Sequence, residues 1–217
     1  MPASLAAVLA DLVLPRCCVG CARAGPPLCT GCLPPGVLRL EIAGLPAVAA
    51  GAYAGALRTA LIGYKERGRR DLARPLGALL GRGVALGPPA VLLVPVPSAA
   101  RIARARGGDH VLRLARVAAR CNAADVVTAL QLDRPVQDSA GLGWRERAAN
   151  LAGAMTASTP PRPGAGAVIV DDIVTTGATL REAARALEAA GWTVRGAAVV
   201  AATERRGALG ALSVLAG

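Results

Sequence analysis

The chain has 217 residues, a formal net charge of +11 and a pI near 10.8, a size that fits one ordinary domain with a small appendage. A basic chain attracts polyanions, so nucleic acid, phosphorylated metabolites and anionic membrane stay in view, although nearly every basic residue is arginine in an alanine-rich, GC-biased composition. The aromatic residues are Tyr53, Tyr64, Trp144 and Trp192, too few stacking platforms for a single-strand binder of the OB or RRM kind.

The opening stretch, PASLAAVLADLVLPRCC, lacks a basic n-region and carries Asp11 inside its apolar run, so it reads as a short amphipathic helix and not a signal peptide. The longest uncharged stretch, ALGPPAVLLVPVPSAA, holds four prolines and falls short of the roughly 20 apolar residues of a membrane span. A cytoplasmic protein with no transmembrane segment is expected.

Five of the six cysteines fall between Cys17 and Cys32. Two CxxC pairs, Cys18 with Cys21 and Cys29 with Cys32, can wrap one tetrahedral Zn²⁺ through thiolates. All four positions are then cysteine, which leaves no open coordination site and makes the metal structural. Cys17 is an alternative ligand to Cys18. Cys121, alone in an apolar helical stretch, is expected to be a small buried hydrophobe.

Prolines and glycines interrupt any periodicity in LPPGVLRLEIAGLPAV, which places a boundary between a zinc module at 1–45 and a main domain at 46–217. Beyond it the chain alternates. AVAAGAY reads as a strand, GALRTALIGY and DLARPLGALLGRGVAL as helices, and AVLLVPVP as a β-branched strand. DHVLRLARVAARCNA is a helix, ADVVTAL a strand, and PPRPGAG a loop. AVIVDD is the clearest strand, TTGATLREAARALEAAG a helix, and WTVRGAAVVAAT a final strand. This order predicts an α/β fold with a mostly parallel sheet covered by helices. Ligands of such folds bind beyond the carboxyl ends of the strands.

The stretch AVIVDDIVTTGATL drives an apolar run into Asp171 and Asp172 and then a polar turn. Backbone N–H groups at the start of the following helix make an anion cradle. The turn runs from Thr175 through Ala178 to Thr179: Gly177 permits close approach, and Thr175, Thr176 and Thr179 add hydroxyl donors. A phosphate on the turn with carboxylates beside it describes a ligand bearing phosphate and vicinal hydroxyls, as a ribose 5-phosphate does. Lys65, the lone lysine, is a compact point charge suited to a phosphate oxygen.

Residues 167–179 resemble the phosphoribosyl-diphosphate signature of type I phosphoribosyltransferases. With the paired CxxC motifs, YAGALRTALIGYK, VPVPS and RPVQDSAGLGWRERAANLAGAM, almost the whole chain resembles the ComF family of competence-associated phosphoribosyltransferase-like proteins. The resemblance implies a type I phosphoribosyltransferase fold with Asp171 and Asp172 on the ribose hydroxyls and 175–179 on the 5′-phosphate. It also implies Mg²⁺ bridging pyrophosphate and ribose oxygens. Pro97 and Ser98 would belong to a pyrophosphate loop, followed by a basic flap with Arg101, Arg104 and Arg106. Gln137, Arg147 and Asn150 match a family segment without a role legible from their chemistry.

The implied partners are phosphoribosyl diphosphate and, through competence, single-stranded DNA or the competence helicase machinery. Two functions follow: phosphoribosyl transfer to an unnamed acceptor, or non-catalytic handling of incoming DNA. One segment departs from the family. Relatives carry an asparagine-glutamine pair where this chain has Asp109 and His110, so His110 is expected at a helix start or on the surface and not as a catalytic base.

Overall fold

The computed structural model describes residues 17–87, 89, 92–98, 108–133, 151–203 and 213–216. The stretch expected to form an amino-terminal helix, Arg101, Arg104, Arg106, Gln137, Arg147 and Asn150 all lie outside them.

Among the described residues the strands are β1 (Gly36–Ile42), β2 (Leu45–Ala49), β3 (Leu92–Pro95), β4 (Asp125–Val126), β5 (Leu130–Leu132), β6 (Met155–Ala157), β7 (Gly166–Val174), β8 (Thr193–Ala202) and β9 (Ser213–Ala216). The helices are α1 (Gly55–Glu66), α2 (Ala73–Ala85), α3 (His110–Asn122) and α4 (Ala178–Ala189). The sheet order is β4-β3-β7-β8-β2-β1-β9. Neighbours from β4 to β2 run parallel, and β1 returns antiparallel between β2 and β9. The expected mostly parallel α/β sheet is what forms.

Strand alternation sorts the central residues into two cores. Val168 and Val170 of β7 join Ala198 and Val200 of β8 against Leu61 of α1, Leu76 and Leu80 of α2 and Leu114 of α3. Ala167 and Ile169 join Ala197 and Val199 against Leu180 and Leu187 of α4 on the other face. A central parallel strand covered on both faces reads as an unbroken apolar run, and Ala167 to Val170 is fully buried. The small β5–β6 ladder stands apart and is held to α4 by Glu182, which accepts from Met155 N at 3.1 Å and from Arg185.

Three local readings change. The proline- and glycine-rich stretch expected as a linker holds the β1–β2 hairpin, so the sheet begins at Gly36, ahead of the boundary placed at 45. Its turn has positive φ at Ala43 (52°) and Gly44 (85°), the two-residue geometry of a tight hairpin. The ADVVTAL strand divides: β4 pairs in the sheet, and β5 leaves it to pair with β6. Cys121 is exposed, because the buried stripe of α3 runs through Val111, Leu114, Ala115, Ala118 and Ala119 and passes it by.

The cysteine segment packs on the same core as α1. Cys18 and Leu28 share a buried cluster with Leu57, Ala60, Leu61 and Tyr64. The approach is close: a Cβ added at Gly20 would lie 2.6 Å from Ala56 Cβ and 2.8 Å from Cys32 Sγ. Arg82 of α2 adds a tie, donating through Nη2 to the carbonyls of Pro34, Gly36 and Ala50 at 2.9–3.0 Å.

Candidate functional site

Both aspartates are buried inside β7, which continues past them to Val174. Alternation sends them to opposite faces. Asp171 lines a small concavity with Thr175, Thr176, Gly177, Ala178, Thr179 and Leu180, on the α4 side. Asp172 turns to the other helical layer, where Lys65 Nζ of α1 lies 2.9 Å and His110 Nε2 of α3 lies 2.5 Å from its Oδ2.

The two environments push the carboxyls apart. Burial raises Asp171, the neighbouring Asp172 charge adds to it, and the group rises to about 8 despite the Asp172 N–H at 2.8 Å from Oδ1. Burial also opposes the charge on Asp172. The His110 hydrogen bond and the Lys65 charge outweigh it and bring this carboxyl down to about 2. At neutral pH the pair thus carries one proton, held on Asp171.

The threonine turn is built around Gly177, whose φ of 75° suits glycine and which caps the start of α4. A Cβ there would also meet Ile42 Cγ2 of the β1–β2 hairpin at once. Thr176 Oγ1 accepts from Ala178 N at 3.4 Å. The turn therefore brings the expected 175–179 segment and Asp171 together at one helix N-terminus. Hydroxyl oxygens and the Asp171 carboxyl are the groups offered there, hard oxygen donors of the kind that suit Mg²⁺ and its waters once Asp171 gives up its proton.

On the neighbouring strand, Ser98 follows the end of β3 after Val96 and Pro97. Its N–H donates to Asp109 Oδ2 at 3.1 Å, and its Oγ lies 3.2 Å from His110 Nδ1. Asp109 also caps α3, accepting from Leu112 N at 3.1 Å. Lys65, expected at a phosphate, sits on Asp172. His110 does start a helix, as expected, yet it is buried and not on the surface. The Asp-before-helix cap was readable as a signal. What it could not convey is that the first turn of α3 points at the end of β7.

The sulfurs of Cys18, Cys21, Cys29 and Cys32 lie within 4.8 Å of one another, with Cys21 and Cys29 Sγ 3.7 Å apart. Zinc–sulfur bonds of about 2.3 Å set tetrahedral sulfur–sulfur edges near ~3.8 Å, so this donor set fits Zn²⁺. Burial opposes charge on the Cys18 thiol, but N–H groups of Cys29, Cys21 and Gly20 outweigh it and bring it down to about 6. Cys17 is exposed and outside the four-sulfur group, its backbone bridged to Ala24.

The phosphoribosyl transferase domain model matches residues 116–210, a segment that contains the acidic pair and the threonine turn but not Lys65, Ser98, His110 or the four clustered cysteines. Among solved structures the chain is similar to the adenine phosphoribosyltransferase from Leishmania donovani, with 15% identity and a TM-score of 0.36, over 63% of this chain and 54% of that one. It is also similar to the adenine phosphoribosyl transferase from Trypanosoma brucei in complex with AMP, pyrophosphate and ribose-5-phosphate, with 13% identity and a TM-score of 0.36, over 69% of this chain and 73% of that one. This chain thus spans about half the length of the first of these structures. No curated protein matches. The fold is phosphoribosyltransferase-like. Among the described residues no helix is long and apolar enough to cross a membrane.

The raised Asp171 has a consequence for stability. Between the ordinary carboxyl value and about 8, the folded chain holds a proton that the unfolded chain has lost, so stability falls as pH rises from about 4 to about 8. Asp172, held near 2, adds no slope in that window; its contribution is lost only as pH falls from about 4 toward 2. Asp171→Asn mimics the protonated acid and is expected to flatten the decline. Urea unfolding at several pH values reads this directly, and an unchanged slope in the variant would remove Asp171 as its source.

Proposed function

We propose that the protein binds phosphoribosyl diphosphate and transfers its phosphoribosyl group to an acceptor, as a ComF-type phosphoribosyltransferase-like protein. The observation that carries this reading is the threonine turn and buried acidic pair at the carboxyl end of the central parallel strand, inside the segment similar to the phosphoribosyl transferase domain. The 5′-phosphate sits on the N–H groups and hydroxyls of 175–179. A ribose lying across the strand end meets Asp171 from one side and Asp172 from the other. The diphosphate extends toward Pro97 and Ser98, where Lys65 supplies positive charge; the basic segment with Arg104, outside the described residues, follows Ser98 in sequence.

In the transfer, the bond from the anomeric carbon to the diphosphate oxygen breaks and a bond to the acceptor nucleophile forms, through an oxocarbenium-like state. The chain's part is to hold the sugar and neutralise the departing charge. Mg²⁺, when bound with the donor, supplies further neutralisation on the diphosphate. Asp171, neutral in the free protein, donates a hydrogen bond to a ribose hydroxyl, and ionised Asp172 accepts one.

Calorimetric titration with phosphoribosyl diphosphate and Mg²⁺ tests this reading. The variant with both Asp171→Asn and Asp172→Asn is expected to keep its fold and to lose about 1.5–3 kcal/mol of binding for each hydrogen bond to a charged group that is removed. Equal affinity in wild type and variant would move the donor site elsewhere.

The cysteine group is proposed as a structural Zn²⁺ site. Metal analysis is expected to give one equivalent per chain. Cys29→Ser should lose most of it and lower the unfolding temperature, because structural zinc contributes folding energy directly. A metal-free wild type of full stability would exclude the site.

The net charge of +11 supports a second reading, binding of single-stranded DNA in natural competence. With few aromatics, such binding must come from arginine and phosphate, so affinity should fall steeply with salt and vary little with base sequence. Fluorescence anisotropy of a labelled oligonucleotide across a salt series measures it. Absence of binding at low salt leaves small-molecule transfer as the function.

A further inference from the structure

The chain has one histidine, and it stands outside the segment similar to the phosphoribosyl transferase domain. His110 is nonetheless among the most tightly held polar residues in the molecule. Nε2 lies 2.5 Å from Asp172 Oδ2 and Nδ1 3.2 Å from Ser98 Oγ. The ring meets Tyr64 edge-on at 6.3 Å between centroids, and the His110 carbonyl accepts from Tyr64 Oη at 3.0 Å. Asp172 is an ionised acceptor, so Nε2 carries the proton that it donates. Nδ1 faces the Ser98 hydroxyl from the other side of the ring. That hydroxyl also lies 3.4 Å from Asp109 Oδ1, and Asp109 holds the Ser98 N–H as well. The imidazole thereby spans the gap between the end of β3 and the end of β7.

Lys65 shares the same carboxylate oxygen from a different situation. Its side chain is 23% exposed, whereas that of His110 is 8% exposed. An incoming diphosphate competes for a partly solvated ammonium but not for a buried imidazole. His110 is the partner that stays with Asp172 when the donor arrives.

We propose that His110 is a positioning residue of the donor site, holding the Asp172 carboxylate in register with the Ser98 turn. The ribose-contacting and diphosphate-contacting halves of the site then keep one geometry. This role rests on the donor-binding reading above.

The experiment has two arms, and the first needs no donor. A lone histidine gives a single set of imidazole signals in a nitrogen–proton correlation spectrum, so no assignment is needed. In the free protein, Asp172→Asn is expected to move the Nε2 signal and Ser98→Ala the Nδ1 signal. Unmoved spectra in both variants overturn the proposal, even if the wild type proves not to bind phosphoribosyl diphosphate, the separate result that sinks the donor reading.

The second arm uses side-chain geometry. A glutamine amide nitrogen reaches the place of Nε2, and an asparagine amide reaches that of Nδ1. His110→Gln, which keeps the Asp172 bond, is expected to bind the donor with Mg²⁺ within about threefold of wild type. His110→Asn, which loses that bond, should bind about ten- to a hundredfold more weakly. Wild-type affinity in His110→Asn overturns the proposal. So does equal weakening in both variants when thermal unfolding shows both as stable as wild type.

Discussion

The Asp172 carboxylate is buried at the end of the central strand, and the fold must bring positive charge to it. An ion left unpaired there would cost several kcal/mol even after relaxation. Two helices answer this at once: α1 delivers the Lys65 ammonium from its last turn, and α3 adds the His110 Nε2 as a hydrogen-bonding partner from its first residue. Both helices must therefore be in register with β7 and with each other. Tyr64, next to Lys65, ties them by donating to the His110 carbonyl. The apolar cluster beneath, with Leu61, Leu76, Leu114 and Val170, fixes the same three elements without direction. The polar contacts select one arrangement from those that the apolar core would tolerate.

The same dependence reaches the cysteine group. It packs on the first half of α1, the helix whose last turn carries Lys65. Gly20 lies against Ala56 without room for a side chain, and Arg82 binds the connection through three carbonyls. Folding energy that a metal on the four sulfurs would supply would therefore be passed into the helix that serves the acidic pair. A short appendage of this kind has too small a core of its own to act as a separate domain.

The features most legible in sequence were those whose signal is local. AVIVDD announced a strand covered on both faces, and the two CxxC pairs announced one four-sulfur group; both are seen. The β1–β2 hairpin was hidden because Ala43 stands at a turn position where asparagine or aspartate gives the usual signal. His110 was hidden for a different reason. Its surroundings come from residues 12 and 62 positions away, Ser98 and Asp172, and no local pattern carries that information. The separation of the aspartates follows from strand period alone, provided that the strand is known to run beyond them.

That separation gives the two carboxyls different chemistry from one dipeptide. Asp171, next to a charge and with no direct cation contact among the described residues, holds a proton; Asp172, with two cationic or hydrogen-bonding partners on one oxygen, does not. It also accounts for the lone lysine in an arginine-rich chain. A guanidinium fork is matched to two acceptor oxygens, but Asp172 Oδ2 is already shared with the imidazole. A compact ammonium can occupy what remains of that oxygen's coordination and leave it again without breaking a bidentate pair. Position 65 therefore calls for lysine on geometric grounds, and the requirement arises only because His110 holds the other side of the same oxygen.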